Sequence, residues 1–279
     1  MKKILILPDV HGRSFWKESI DKFLDEFPME KEENKDNKII FLGDYIDPYV
    51  WHDHVTEEEA YNNLFELLGK VVDLNAKYAN SVIMLLGNHD LHYIYDTGED
   101  CRVDYNRFPH YRKIFQTLIE SKQIQLAYAT TMQENSGMNW LFSHAGIQLG
   151  WLQHTMKVHG AEMNDITASS VADWLNTHMQ DIMKQLAEVS YHRGGYDRYG
   201  SCIWADLHEM MGNNMISIHS DQLQHGRVNQ VFAHTYSEEP YIDEETGIYM
   251  IDTGFSSYLL DENDKLQVYT KGSRYTYGS

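Results

Sequence analysis

A chain of 279 residues can hold one α/β domain with a sizeable core, and no Pro/Gly/Ser-rich linker divides it. Its net charge of −19 disfavours nonspecific nucleic-acid binding, and no apolar run approaches the length of a membrane span. The two cysteines, Cys101 and Cys202, form neither a disulfide framework nor a zinc knuckle and read as reduced thiols; the apolar run after Met1-Lys2-Lys3 stops at Pro8-Asp9, too short for a signal segment, so a cytoplasmic location is expected.

The first predicted strand is Lys3 to Leu7, ending in Pro8-Asp9-Val10-His11-Gly12-Arg13. Asp9 and His11 are two apart, so in extended backbone they face the same way, a carboxylate and an imidazole that together can grip a divalent ion. Ser14 to Phe27 reads as a helix with Phe15, Ile20, Phe23, Leu24 and Phe27 on its apolar face. Met29 to Asn37 reads as a solvated loop, and Lys38 to Leu42 as the second strand, ending in Gly43-Asp44-Tyr45-Ile46-Asp47-Pro48. Asp44 is placed to bridge two metals and Asp47 to orient a neighbouring imidazole; the plainer alternative is a capped turn.

Tyr49 to His54 reads as a loop, at the site mouth or simply on the surface. Thr56 with Glu59 makes a capping box for a helix whose apolar face is Leu64, Leu67, Leu68, Val71 and Val72. The short β-branched run from Ser81 to Leu86 then stops at Gly87-Asn88-His89-Asp90, where α/β sheets carry chemistry. Leu91 to Tyr105 reads as irregular and Tyr111 to Glu120 as a helix. Ile124 to Tyr128 and Met138 to Phe142 read as two strands, with a hairpin around Asn135-Ser136-Gly137; the second leads into Ser143-His144-Ala145-Gly146. Ile166 to Val189 has helical spacing that reads as core. Arg193, beside Gly194 and Gly195, is either an accessible guanidinium for phosphate or a surface arginine at a helix end. Asn229 to Ala233 ends in His234-Thr235, and the alternating runs from Tyr241 to Tyr269 predict a second, antiparallel-leaning sheet.

Five apolar runs therefore end in Asp9/His11, Asp44/Asp47, Asn88/His89, His144 and His234, which predicts a shared rim where these side chains converge. Oxygen and nitrogen donors without thiolate suit Mn, Fe or Zn better than Ca or Mg.

The ordered series Asp9-x-His11, Gly43-Asp44-x-x-Asp47, Gly87-Asn88-His89-Asp90, Ser143-His144-Ala145-Gly146 and Ala233-His234-Thr235 resembles the calcineurin-like metallophosphoesterases. Within them it is most similar to the Ser/Thr phosphoprotein phosphatases and symmetrical diadenosine tetraphosphatases, a likeness shared by Ile203-Trp204-Ala205-Asp206 and Ile251-Asp252-Thr253-Gly254. The resemblance implies a four-layer α/β/β/α sandwich, two mixed sheets flanked by helices, in a single domain over residues 1–279 with 149–199 as a helical insertion. It implies two divalent ions (Mn, Fe or Zn), one held by Asp9, His11 and Asp44, the other by Asp44, Asn88, His144 and His234. A hydroxide bridging the ions would attack a phosphomonoester, on a small molecule or a protein, and His89, oriented by Asp47, would protonate the leaving group.

Departures are Pro48, where the phosphoprotein phosphatases carry arginine, and Ala233 for a glycine; Tyr236, where many superfamily members add a histidine, is as expected for the phosphatase branch. Arg193, or else Arg13, is the expected replacement for that arginine as the phosphate-binding cation. The rival readings are a phosphodiesterase or dinucleoside polyphosphate hydrolase on the same metal core, and a non-catalytic scaffold that kept the fold.

Overall fold

The computed structural model describes residues 2–95, 102–133, 138–162, 166–211 and 227–272. Its organising elements are two mixed β-sheets packed face to face with helices outside them. In the first sheet β1 (Ile4–Leu7), β2 (Lys38–Phe41), β3 (Val82–Leu85) and β4 (Ile124–Gln125) run parallel. In the second, β5 (Ala127–Thr130) pairs antiparallel with β6 (Met138–Ser143), which runs parallel to β7 (Arg227–Phe232).

The continuous apolar runs follow from burial on both faces. Leu5, Leu7, Ile39, Phe41, Val82 and Met84 point to the helices, whereas Ile4, Ile6, Ile40, Leu42, Ile83 and Leu85 point to the second sheet. There they meet Trp140, Phe142, Val231 and Tyr249. Each fully buried aliphatic side chain of this kind contributes about 1.5–3 kcal/mol relative to exposure.

On the outer face of the first sheet, α1 (Phe15–Glu26) buries Phe15, Trp16, Ile20 and Phe23. The helix α3 (Glu57–Lys77) starts on the expected box, with Thr56 Oγ1 accepting from Glu59 N and Glu59 Oε2 accepting from Thr56 N. Its buried stripe is Leu64, Leu67, Val71 and Leu74; Val72 is 58% exposed, one position off the stripe. The helix α5 is Phe108–Glu120. After β6 comes α6 (Leu149–Val158), and α7 (Ala168–His178) covers the second sheet, packed on β5 and β6.

Several expectations need correction. Tyr49 to His54 is not a loop throughout, because Val50–Asp53 forms one helical turn, α2, that buries Asp53 and leaves Trp51 91% exposed. Residues 29–37 include a helical turn at Glu32–Asn34, and Asn37 is buried, its Oδ1 accepting from Lys3 N. Asn88–His92 forms a short helix, α4, so the irregular stretch starts later than Leu91. The helix expected over 166–189 breaks after His178 and resumes as α8 (Met183–Leu186).

Ile124 to Tyr128 is not one strand: it divides between the sheets at Leu126. Asn176 of α7 holds the crossing, its Oδ1 accepting from Leu126 N and Ala127 N while its Nδ2 donates to Ala127 O. Such a switch point otherwise leaves backbone groups unpaired. The expected hairpin turn at 135–137 lies outside the described residues.

The last four strands also form no sheet of their own. β8 (Tyr241–Asp243) and β9 (Ile248–Met250) make the expected hairpin, but β9 joins β7 in parallel. β10 (Ser257–Leu260) and β11 (Leu266–Thr270) extend the first sheet beside β1. The carboxyl ends of β1, β2 and β3 thus share one edge, and those of β6 and β7 share the edge of the facing sheet.

Candidate metal centre

The turns after these strands are laced together before any ligand is considered. His11 N donates to Asp44 O at 2.6 Å and Gly12 N to Tyr45 O at 2.9 Å, so the first turn lies along the second. Asp90, fully buried, accepts from Asp44 N, Tyr45 N and Gly87 N at 2.9–3.0 Å. The glycines permit the approach: a Cβ on Gly43 would stand 2.7 Å from Gly87 N, and one on Gly87 2.1 Å from Asp44 Oδ1. His11, Asp44, Asp47 and His234 take positive φ of 44°, 52°, 58° and 67°, which turns their side chains inward.

These turns bring the motif residues together. Asp44 Oδ2 is 3.6 Å from His11 Nε2 and 3.5 Å from His144 Nε2. His144 Nε2 lies 2.9 Å from Asn88 Oδ1 and 3.2 Å from His234 Nδ1. Asp9 Oδ2 is 3.8 Å from His11 Nε2, and Asp9 Oδ1 is 3.3 Å from His234 N. The outer nitrogens are oriented by backbone carbonyls, His11 Nδ1 on Ile46 O and His144 Nδ1 on Leu42 O. Those bonds place the ring protons on Nδ1 and leave Nε2 lone pairs facing inward, as ligating histidines require.

The electrostatics sort the four imidazoles. Burial first, then neighbouring His89, Arg13 and Arg102, holds His11 well below its usual value. Burial, with Arg193 and His144, does the same to His234, and burial lowers His144. All three therefore favour the neutral, metal-ligating form. Burial opposes the charge on His89 as well, but Asp44 and Asp47 overcome it and raise His89. Burial, then Asp252 and Asp44, pushes Asp9 well above the carboxylate range. Inward-facing lone pairs beside close-set carboxylates repel one another unless a cation lies among them.

A cation fits this donor set. Ligand atoms of His11, Asp44 and His89 form one group within 4.8 Å of each other, and those of Asp44, His144 and His234 form a second. Asp44 belongs to both groups. His89 joins the first by proximity, yet its Nδ1 is held by Asp47 Oδ2 at 2.8 Å.

The family model for calcineurin-like phosphoesterases matches residues 2–235. The chain belongs to that family. No curated protein sequence matches this phosphoesterase. Its fold is similar to that of a cold-active protein-tyrosine phosphatase of a psychrophilic Shewanella species, at 14% identity and TM-score 0.57, covering 96% of this chain and 80% of that one. It is also similar to a protein serine/threonine phosphatase from Saccharomyces cerevisiae, at 14% identity and TM-score 0.49, covering 97% of this chain and 80% of that one. The chain is a hydrolase of phosphoesters, and its family is metal-dependent.

The two arginines expected to reach substrate fare differently. Arg13 of the phosphoesterase is 1% exposed, its Nε donating to Asp53 Oδ2 at 2.7 Å and its Nη1 to Asp9 O and Gly254 O. That guanidinium is enclosed as a structural pin, and its placement does not fit a substrate contact. Arg193 does reach the site: its Nη2 donates to His234 O and Thr235 Oγ1, and its Nε lies 3.2 Å from Asp206 Oδ2. The Ile203-Trp204-Ala205-Asp206 stretch serves the same corner, with Trp204 edge-on to His234.

A cation missed in the sequence stands on the opposite side. Arg102 lies 3.4 Å over the ring of Tyr49, which meets His11 edge-on, and donates to Asp47 O through Nη2 at 3.1 Å. Its approach to residue 47, next to Pro48, comes from a segment far along the chain and carries no local sequence signal. Asp90 stood inside the quoted motif, but its role as acceptor for three N–H groups shows only in three dimensions.

Proposed function

We propose that this protein is a binuclear metal-dependent phosphomonoesterase acting on a small phosphate ester or a phosphoprotein. Asp9, His11 and Asp44 would hold one ion, and Asp44, Asn88, His144 and His234 would hold the other. When bound, two divalent ions supply an acidified water and countercharge for the phosphoryl oxygens. Mn, Fe or Zn suits the nitrogen and oxygen donors.

The chain's own residues do the rest. Asp47 accepts a hydrogen bond from His89 Nδ1–H, so the protonated His89 offers Nε2–H to the ester oxygen as the P–O bond breaks. Arg193 and Arg102 flank the centre and match the charge of a phosphate dianion better than that of a diester monoanion. Residues 149–199, read as a helical insertion in one domain, deliver Arg193 to the rim. The observation that carries this reading is the contrast among the histidines: His11, His144 and His234 are held neutral by burial around shared Asp44, while His89 is paired with its own aspartate.

The test is a panel of p-nitrophenyl phosphate, its bis ester and dinucleoside polyphosphates with Mn, Fe, Zn and Mg. The monoester is expected to be the best substrate, with activity lost on chelation and restored by added metal. Preference for the bis ester or the polyphosphates would move the assignment to the rival hydrolase readings. A folded, metal-free and inactive protein would point to a scaffold.

A further inference from the structure

Behind the His89–Asp47 pair lies a buried phenol that no motif marks. Tyr93 is 1% exposed, and its hydroxyl stands 2.5 Å from Asp47 Oδ1, the carboxylate oxygen not used by His89. The same hydroxyl accepts a hydrogen bond from Asp104 N at 2.9 Å. Because a backbone N–H can only donate, that bond occupies a lone pair on the phenol oxygen and leaves its proton for Asp47. Asp104 is itself held: its Oδ1 accepts from Asn106 N and Arg107 N, and its Oδ2 from Arg107 Nη1. The Tyr93 ring packs edge-on to Tyr111 and tilted against Phe108, both with centroids at 5.1 Å.

We infer that Tyr93 is a positioning residue for the leaving-group acid: it clamps one oxygen of Asp47 so that the other holds the His89 ring with Nε2 facing the centre. Asp47 needs such a clamp. Its backbone has φ of 58°, a left-handed conformation that L residues rarely adopt. Burial and the nearby Asp47 charge hold the phenol in its protonated form, so it stays a donor. A hydrogen-bonded line thus runs from Asp104 N through Tyr93 and Asp47 to His89, tying the 102–107 segment to the acid.

The inference rests on the proposed role of His89, and the test separates the two. Tyr93→Phe keeps the ring and removes only the hydroxyl. Relative to wild type it is expected to retain metal content and KM while losing kcat, and the loss should grow as the leaving group worsens. A loss of about tenfold on phenyl phosphate is expected, with a smaller one on p-nitrophenyl phosphate. Nitrogen-15 spectra of the His89 ring should show a disturbed Nδ1–H in the variant. Equal losses on both esters, or no loss on either with an unchanged ring spectrum, would overturn the role of Tyr93. Run in parallel, His89→Asn must show its own strong leaving-group dependence. If it shows none, the acid assignment falls; if it does and Tyr93→Phe does not, only the present inference falls.

Discussion

Asp90 offers the most direct test of how the centre is built. Its two oxygens receive three backbone N–H groups, from Asp44 and Gly87 on Oδ2 and from Tyr45 on Oδ1, with no solvent access. Asp90→Ala leaves all three buried and unpaired. At about 1–3 kcal/mol for each unsatisfied group, with some relaxation, the expected cost is about 3–6 kcal/mol. Asp90→Asn can keep its amide oxygen under Asp44 and Gly87, so only the Tyr45 N–H faces an NH2 group. That variant costs about 1–3 kcal/mol, reduced by relief of repulsion between Asp90 and Asp44, which together with burial holds Asp90 well above its normal range. For 279 residues the unfolding entropy is about 0.6 kcal/mol/K, so the alanine variant should melt about 5–10 °C lower and the asparagine variant about 2–5 °C lower. Because Asp90 fixes the turns carrying Asp44 and Asn88, the alanine variant should also lose metal. Thermal unfolding with elemental analysis reads both effects. An alanine variant that melts like wild type and keeps its metal would refute the view of Asp90 as the brace of the centre.

Other substitutions separate the roles within the site. His89→Ala should retain metal but lose about 10²–10⁴ in kcat, whereas Asp44→Asn should lose metal and activity together; elemental analysis beside steady-state kinetics decides both. Arg193→Ala and Arg102→Ala should each raise KM for a monoester several-fold while changing stability little. Arg13→Ala should instead cost about 3–5 kcal/mol, because it breaks a buried ion pair with Asp53, and calorimetry distinguishes the two classes. Burial, with Asp197 nearby, raises Glu188 from 4.5 to about 7, so the folded state holds its proton longer and stability falls as pH rises from about 4.5 to 7. Glu188→Gln should remove that fall, at most about 1–2 kcal/mol once partial solvation is allowed for, in melting curves across that range.

The strand-end pattern was readable because strands buried on both faces are uninterrupted apolar runs that end abruptly where the backbone turns polar. Pairing was not readable at two places. Ile124 to Tyr128 looks continuous, and only Asn176 of α7, 50 positions from Leu126, reveals the switch between sheets. The last four strands alternate alike, yet one hairpin joins the first sheet and the other the second. The site residues that escaped notice share one trait. Arg102 and Tyr93 reach Asp47 from 55 and 46 positions away, and no local spacing around Asp47 encodes those contacts. Arg13 shows the opposite error: a cation beside a motif looked available until Asp53 on the α2 turn was seen to enclose it.

The same charges that mark the centre predict how metal changes its response to acid. Without metal, Asp9 and Asp90 hold protons in the folded state above their ordinary range, so their contribution to stability falls as pH rises. His11 and His234 run the other way. Their folded values lie well below 6.5, so the unfolded chain takes up protons first, and their contribution rises with pH until about the unfolded value near 6.5. Between pH 4.5 and 6.5 the two sets oppose each other, and the chelated protein should show a shallow dependence. Bound metal requires Asp9 as carboxylate and the imidazoles neutral, so both sets then demand proton loss. The loaded protein should accordingly be more stable at pH 7 and lose that advantage steeply on acidification. Melting temperatures of chelated and metal-loaded protein, measured in parallel across this interval, should converge towards low pH. Parallel curves would mean that the cations do not sit among these side chains.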